Sequence, residues 1–521
     1  LKVLLIVLTL CVVVACGLTL TGLIQLGKLL EASPEMSSAT PAPISSPTDM
    51  PTALPTQPLE PEEIDNIQAN LETLLTEVVP INDPIDLAER LGGKENVPST
   101  LPDPEAPYQV GDEKTFWVTN TDNNENFQVQ ATLRYLGDNI YFWIENGVRY
   151  QESDLRQLAD AFDQEIVPTN REFFGMEWNP GVDDDPRFYV LYARGLGSSL
   201  AGYFSSADEL HPAAHPYSNA HEMFLLNADT VRLSENYIYG TMAHEFQHMI
   251  HWYQDRNEET WVNEGFSMLA EHVNDLNSGG FDFDYVINPD LQLTDWGAET
   301  GENGPHYGAS YLFMVYFLDR FGEEATKALV AHPENGFSGL ESVMQELGIH
   351  NPTTGQVYTA NEVFTDWVVT NYLQDPTVEQ SRYTYRSYSP YDVSVSDSIS
   401  ECPDQITSDV SQFGVDYIEI DCPGTHTLSF KGGAVANILP FEAPPSGDYF
   451  FWSNLGDESN MFLTQTFDLT QVDGEAVLSF KTWYDLEEDY DYVYISASTD
   501  GKHWQILESL TCTTENPSGN S

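Results

Sequence analysis

Two neighbouring stretches organise the chain: Thr241-Met-Ala-His-Glu-Phe-Gln-His-Met-Ile-His-Trp252 and, after a short polar break, Trp261-Val-Asn-Glu-Gly265. In the first stretch His244 and His248 are four residues apart, so on a helix they share one face and can bind one metal ion. Glu245 follows the first histidine directly, which places its carboxylate beside the open coordination position of such an ion. The pattern predicts a helical zinc site of the hydrolase type, with Glu245 as the general base.

A third protein ligand is expected, because catalytic zinc takes three protein ligands and keeps one position open. Glu264 follows Asn263 at the start of a second predicted helix, and its carboxylate would complete the set without occupying the water position. His251 shares the helix face of His244 but lies about 10 Å further along the axis, too far for the same ion. The predicted ligands are therefore His244, His248 and Glu264.

Three other residues near the motif are weaker candidates for the site. A metzincin arrangement would need a histidine where the sequence has Gln254, so that class is disfavoured. Glu271 lies two turns beyond Glu264 on the same helix face, and is either a partner that orients a ligand histidine or an ordinary surface carboxylate. His272 is predicted to be a surface histidine.

Composition bounds the class of protein. The chain has 521 residues, which favours two or three domains. It carries 82 acidic and 20 basic residues, a formal net charge of -62. A protein with this net negative charge repels nucleic acid, so no nucleic-acid partner is expected.

The beginning of the chain predicts export from the cytoplasm. Residues 3–27 are an almost uninterrupted apolar run, so residues 1–30 are expected to be an export signal or a membrane or lipid anchor. The run is long enough for a transmembrane anchor, while Val13-Val-Ala-Cys16 resembles a lipobox, and the two alternatives stay open. The predicted location is extracellular, either secreted or anchored to the cell surface, with membrane contact through this segment only.

Two connecting regions come next along the chain. Residues 31–63 are rich in Pro, Ser and Thr, which cannot bury a core and is typical of a stalk. Residues 64–107 are expected to form a helical and loop connector, with a short amphipathic helix over about 62–79.

Hydrophobic patterning predicts a mixed sheet followed by helices in the central region. Alternation and buried apolar runs predict strands over 115–119, 127–133, 139–144, 188–193 and 222–227. The last of these is a candidate edge strand, against which an extended peptide could pair. Helical spacing predicts a helix over 153–166 with Ser153 as its N-cap, the metal helix over about 237–254, and later helices over about 304–318, 323–331, 339–346 and 361–373.

The motif residues also carry a family resemblance. His244-Glu-Phe-Gln-His248 followed by Trp261-Val-Asn-Glu264-Gly resembles the gluzincin metallopeptidases, and the chain as a whole is similar to hyicolysin-like secreted bacterial peptidases. The spacing from His248 to Glu264 is shorter than in aminopeptidase N relatives. The resemblance implies a multidomain protein with an α+β zincin-like catalytic domain at 108–395, made of a mixed sheet, an active-site helix and a helical lower subdomain.

Gluzincins also use a hydrogen-bond donor that stabilises the oxyanion of the tetrahedral intermediate. The segment Gly304-Pro-His-Tyr307 enters a helix, which puts His306 and Tyr307 at its exposed N-terminal end. Tyr307 is the first choice for this donor and His306 the second. Tyr311, one turn further on, is either part of the cleft or a core aromatic residue.

The C-terminal part of the chain is predicted to be β-rich. Residues 396–440 are expected to form a small β domain in which Cys402 and Cys422 pair, because Cys11 and Cys16 belong to the export segment. Residues 441–521 resemble the accessory domain of immune inhibitor A type peptidases, which implies a β-sandwich or jelly-roll domain, here incomplete.

Two acidic groups are candidate Ca²⁺ sites, since calcium takes six to eight oxygen ligands. A solvated acidic turn is the alternative for both. The groups are Asp183-Asp184-Asp185 and the set Asp485, Glu487, Glu488, Asp489 and Asp491.

These observations predict an extracytoplasmic zinc metalloendopeptidase that acts on protein or peptide substrates. One alternative is a catalytically inactive zincin-fold adhesin, whose β domains would contact the cell surface or polysaccharide; the intact Glu245 argues against it. Another is an aminopeptidase, disfavoured because no acidic cluster suited to an amine precedes the metal helix.

Overall fold

The computed structural model describes residues 61–101, 107–276, 280–296, 303–433, 435–439, 444–447, 449–487, 489–507, 512–513 and 515–519. The predicted export segment, the lipobox cysteine and nearly all of the predicted stalk lie outside these residues. Within them, no helix is both long and apolar enough to cross a membrane. The chain forms two compact units, of which 1–57 with 437–442 holds few described residues; the second, 58–436 with 443–521, contains the helices and strands described here.

The helices and strands are numbered separately in chain order. The helices are α1 (Pro61–Thr76), α2 (Pro84–Arg90), α3 (Glu152–Ala161), α4 (Val167–Phe174), α5 (Asn236–Gln254), α6 (Thr260–Val273), α7 (Phe281–Val286), α8 (Gly304–Val330), α9 (Gly336–Glu346) and α10 (Ala360–Leu373). The strands are β1 (Glu113–Asn120), β2 (Glu125–Leu136), β3 (Ile140–Glu145), β4 (Phe188–Ala193), β5 (Gly202–Phe204), β6 (Met223–Asn227), β7 (Asp397–Ile399), β8 (Ile418–Ile420), β9 (Ser496–Ala497) and β10 (Gln505–Ile506).

A six-stranded mixed sheet with the order β1-β2-β3-β4-β6-β5 forms the upper half of the catalytic region. Strands β3, β4 and β6 are parallel to one another, and the remaining pairs are antiparallel. Successive side chains of a strand point to opposite faces. Accordingly Phe142 packs in the core shared with the helices, while Tyr141 and Trp143 pack in a second core on the other face. Both faces of the sheet are therefore covered.

Helices form the lower half, as the resemblance to zincin-like domains implied. Helix α5, which contains the predicted zinc motif, packs below the sheet, with Phe246 stacked on Phe188 of β4 at a centroid distance of 4.8 Å. Helix α6 packs on α5 and on α8. Gly322, at φ 85°, interrupts α8, which explains why two helices are predicted there from the sequence. The expected α+β architecture with a mixed sheet and helical lower subdomain is confirmed.

Two predictions about local structure are wrong. Helix α3 begins after Gln151, so Ser153 is not its N-cap. Strand β6 is not at the edge of the sheet, because β4 pairs with one side of it and β5 with the other. The short β5 is the edge strand next to α5, and its three residues contain too little periodicity to be recognised from the sequence.

The C-terminal part contains short strands. In 396–440 the parallel pair β7–β8 lies beside the predicted disulfide, and Cys402 and Cys422 are bonded. In the described part of 443–521, hereafter the C-terminal segment, β9 and β10 form an antiparallel pair. Apolar and polar residues alternate over 476–484, a pattern that predicts a strand, but this stretch does not form one.

Candidate metal centre

Helices α5 and α6 bring the three predicted ligands together. The possible ligand atoms of His244, His248 and Glu264 all lie within 4.8 Å of one another. Oε2 of Glu264 is 3.2 Å from Nε2 of His244 and 3.5 Å from Nε2 of His248. Among the described residues this is the cluster of three or more His, Cys, Asp or Glu side chains close enough to hold one ion. We call these three residues the metal triad.

The other ring nitrogen of each histidine is already engaged. Nδ1 of His248 lies 2.8 Å from Oδ1 of Asn263 and 3.0 Å from Oγ of Ser267. Nδ1 of His244 lies 3.4 Å from Oε1 of Glu271. These acceptors favour a proton on each Nδ1, which leaves each Nε2 directed at the carboxylate of Glu264, where a proton or a metal ion would bind. The donor set therefore fits Zn²⁺, which accepts imidazole and carboxylate ligands.

The pKa values of His244 and Glu264 reflect the close contact between the side chains of the triad. Burial lowers the pKa of His244, but hydrogen bonding to Glu264 and Glu271 outweighs this effect and raises the pKa well above its ordinary value. Burial raises the pKa of Glu264, but the two histidines outweigh it and the pKa is lowered. The carboxylate of Glu264 is thus held in the charged form that a metal ligand needs.

Glu245 occupies the position expected for a general base. Its side chain is buried, and the backbone N–H of Phe204, on the edge strand β5, is close enough to lower its pKa. Burial raises its pKa, which His244 and His248 partly counteract. This contact places the edge strand directly beside the predicted base.

The two candidates for the oxyanion donor differ in position. Tyr307 lies beside the triad: its ring centroid is 6.5 Å from that of His244, and the charge of Glu264, followed by burial, raises its pKa well above the ordinary value. His306 instead packs on Trp296 at 5.5 Å, near the backbone of Gln292 and Asp295. Tyr311 is 2% exposed and belongs to the core. The structure thus places the first choice near the triad and the second beside Trp296.

Close packing of α6 on α8 brings Tyr307 to the triad. A Cβ atom at Gly265 would lie 2.8 Å from Cγ of Met314 and 3.1 Å from the carbonyl oxygen of Ser310, so glycine is required for this approach. The glycine that follows Glu264 in the sequence motif therefore has a structural role.

Tyr237 near the start of α5 is a residue that the sequence reasoning missed. Burial, with the charges of Glu271 and Glu245, raises its pKa to about 12, and Tyr237 also influences the pKa of Tyr307. It lies seven residues before His244, a spacing of two helical turns on the same face. That spacing is the signal by which it could have been found.

His251, Glu271 and His272 lie in three different environments. His251 is fully buried against Phe266 and is not part of the triad, and burial lowers its pKa to about 3. Glu271 contacts His244, as the orienting alternative predicted. His272 is half-buried between Tyr311 and Ser387 rather than on the surface, because both of its ring nitrogens lie near hydroxyl groups.

The two acidic groups considered for calcium have partners within the protein. Asp183 lies 2.7 Å from Nδ1 of His221, and Asp185 accepts a hydrogen bond from Tyr141. Asp491 accepts the backbone N–H of Glu487. Glu488 lies outside the described residues, and calcium binding stays a prediction.

The zincin-like arrangement and the metal triad resemble those of zinc metallopeptidases. Over 264 residues the chain is 27% identical to the neutral metalloprotease ShpI of Staphylococcus hyicus, a match that covers 46% of this chain and 59% of that protein. The chain thus spans about three-fifths of the curated relative that it matches. Residues 437–520 match the family model described as Immune inhibitor A-like, MAM domain. The resemblance to hyicolysin-like peptidases and the resemblance of the C-terminal residues to the immune inhibitor A accessory domain are confirmed.

Among solved structures, a two-domain M1 zinc metallopeptidase with bound L-arginine is similar over 50% of this chain and 61% of that one. The sequence identity is 12% and the TM-score is 0.28, so this likeness has no bearing on the site.

Proposed function

We propose that the chain is a zinc-dependent metalloendopeptidase that acts outside the cytoplasm on protein or peptide substrates. The observation that carries the proposal is the contact of two imidazole Nε2 atoms with one carboxylate, 3.2 and 3.5 Å from Oε2 of Glu264. Glu245 beside this triad and the similarity to the neutral metalloprotease ShpI support the same reaction class.

Each residue has a defined part in the proposed reaction. A zinc ion bound by the metal triad would polarise the scissile carbonyl and lower the pKa of water to about 7. Glu245 takes the proton of the attacking water and passes it to the leaving amine. The hydroxyl of Tyr307 donates to the developing oxyanion. Asn263 and Glu271 hold the two imidazoles in the orientation that leaves Nε2 available.

The edge strand β5 is the proposed site of backbone pairing with an extended substrate. The backbone N–H of Phe204, at the end of this strand, is close enough to Glu245 to lower the pKa of that carboxyl, so a peptide paired with the strand would pass beside the base. Gly202 lets the strand approach closely, because a Cβ there would lie 2.5 Å from the carbonyl oxygen of Leu225 and 3.2 Å from the Thr241 side chain. A strand-like substrate that extends past the site in both directions supports endopeptidase rather than aminopeptidase activity.

The proposed location and accessory contacts rest on other regions. The apolar run at 3–27 supports secretion or surface anchoring. The match of residues 437–520 to the MAM domain model supports an accessory domain. We also propose that this domain contacts a cell surface or polysaccharide. Calcium binding is likewise a proposal.

The experiment that tests the proposed function combines metal content with peptide cleavage. We expect the purified chain to hold about one zinc per molecule and to cleave casein until a chelator is added. Zinc binding with no cleavage of casein or of peptides would favour the inactive adhesin. Cleavage confined to substrates with a free amino terminus would favour the aminopeptidase.

A further inference from the structure

A cavity of about 480 Å³ opens beside the metal triad, on the side of His248. Its inner wall includes His248 and Asn263, and the edge-strand residues Tyr203 and Phe204 line it as well. A substrate paired with the edge strand would therefore carry a side chain past this opening. We call this space the side cavity.

Aromatic residues form much of the wall of the side cavity. Trp117 and Tyr217 line it and pack edge to face at a centroid distance of 5.1 Å, and Trp252 of α5 lines another part. Flat apolar walls of this kind accommodate the aliphatic stem of a long side chain, and their ring faces attract a cation at its tip.

The C-terminal segment closes one side of the cavity with carboxylates. Asp457 accepts a hydrogen bond of 2.9 Å from Thr260 at the start of α6. Glu458 accepts one of 2.8 Å from Asn82. Both carboxylates line the cavity and are thereby fixed to the catalytic region, although they are far from it in sequence.

Glu258 supplies a further carboxylate to the cavity wall. It is 2% exposed, and its Oε1 accepts the backbone N–H groups of Gly336 and Glu259 at 2.7 and 2.6 Å. Its Oε2 has no hydrogen-bond partner among the described residues. Burial raises the pKa of Glu258 well above its ordinary value, and a cationic group nearby would favour its charged form.

The protein itself offers little positive charge to these carboxyl groups. Asp208 lines the cavity as well, and burial raises the pKa of Asp208, Asp457 and Glu458 alike. Arg256 is the guanidinium that lines the cavity; it donates to the carbonyl oxygen of Asn82, lies 5.9 Å over the ring of Trp252, and its charge lowers the pKa of Glu458. The cavity is therefore acidic overall.

We propose that the side cavity binds the cationic group of a peptide substrate, a lysine or arginine side chain, and so sets the cleavage preference. This inference rests on the proposed peptidase function and adds the substrate class. A free peptide amino terminus offers the same ammonium chemistry, so the experiment needs an arm for each source.

The test uses zinc-loaded full-length chain and peptides blocked at both ends that differ at one position, occupied by Lys, Leu or Glu. We expect kcat/KM to be at least about 10-fold higher for Lys than for Glu, since the ammonium gains a charge-assisted contact with the carboxylates whereas a Glu side chain is repelled by them. The double variant Asp457→Asn, Glu458→Gln keeps both hydrogen-bond acceptors and should lose most of this preference. Asp473→Asn, an exposed carboxylate of the same segment, is the matched control and should keep it.

Three outcomes have distinct meanings. Equal kcat/KM for the Lys and Glu peptides, or a preference unchanged in the double variant, would overturn the inference while leaving the peptidase function intact. A preference that appears only with unblocked peptides would assign the ammonium to the substrate terminus. If no peptide is cleaved, the proposed function fails, and fluorescence anisotropy of Lys and Glu peptides on Glu245→Gln still tests whether the cavity selects the cation.

Discussion

Oε2 of Glu264 lies 3.2 Å from Nε2 of His244, across the interface between helices α5 and α6. Both atoms are acceptors when Nδ1 of the histidine carries the proton, and Glu271 lies 3.4 Å from that Nδ1. Two acceptors at this distance repel unless a proton or a metal ion lies between them. The contact between these two residues therefore favours a bound cation.

Replacing the ligand carboxylate should remove zinc binding. In Glu264→Gln the neutral amide is a poor zinc ligand. Loss of a residue that only orients a ligand lowers zinc affinity by up to roughly 100-fold, and we expect the loss of this ligand to lower it by more than that. Competition with a chelating dye measures it. Glu172→Gln, an exposed glutamate, serves as the control. Wild-type affinity in Glu264→Gln would exclude this residue from the ligand set.

The residues that orient the imidazoles should contribute less to zinc affinity than the ligand Glu264 does. Asn263→Ala removes the acceptor 2.8 Å from Nδ1 of His248, and Glu271→Gln weakens the one beside His244. Each change should lower zinc affinity about 10- to 100-fold. The same dye titration, with thermal unfolding to verify folding, checks the result. An unchanged affinity in both variants would mean that these contacts do not orient the ligands.

Helices α5 and α6 and the metal triad could be predicted because the sequence patterns that specify them are local. Helical periodicity brings His244 and His248 to one face, and Glu264 follows in a short, recognisable string. The sheet strands were predictable for the same reason, since alternation is a local pattern. The edge-strand prediction is wrong because pairing partners are set by tertiary packing, which periodicity does not encode.

Tyr307 should act in the reaction and His306 should not. The phenol lies beside the triad, whereas His306 packs on Trp296. Tyr307→Phe should lower kcat by about 100- to 1000-fold with a small change in KM, the effect of losing one oxyanion donor. His306→Gln should stay near wild type in steady-state kinetics. The reverse pattern would assign the donor to His306.

The buried carboxyl of Glu222 should make stability depend on pH. Burial, with the charges of Asp183 and Glu177, raises its pKa from 4.5 to about 8. Between these values the folded state keeps a proton that the unfolded chain releases, so the free energy of unfolding should fall as pH rises. Urea denaturation at pH 5 and pH 8 measures this change.

Glu222→Gln should reduce that fall, because the amide does not titrate, while the exposed Glu172→Gln should leave it as in wild type. The high net negative charge of the chain acts in the same direction on all three proteins, so the comparison between variants is the informative quantity. An identical pH dependence in Glu222→Gln and wild type would contradict the shifted pKa.

The side cavity shows why part of the site was beyond sequence reasoning. Its carboxylates come from the α5–α6 connection and from the C-terminal segment, where Asp457 meets Thr260. No local pattern links such distant positions. From the sequence we note only that no acidic cluster suited to an amine precedes the metal helix, whereas Glu258 follows that helix and Glu458 lies in the C-terminal segment.

The most direct test of the central claim is the rate at which the zinc-loaded chain cleaves an internally quenched peptide blocked at both ends. We predict that the metal-free wild type is inactive, that one equivalent of zinc restores cleavage, and that zinc-loaded Glu245→Gln is slower by at least about 100-fold. Undetectable cleavage by the zinc-loaded wild type, or equal rates for wild type and Glu245→Gln, would contradict the account.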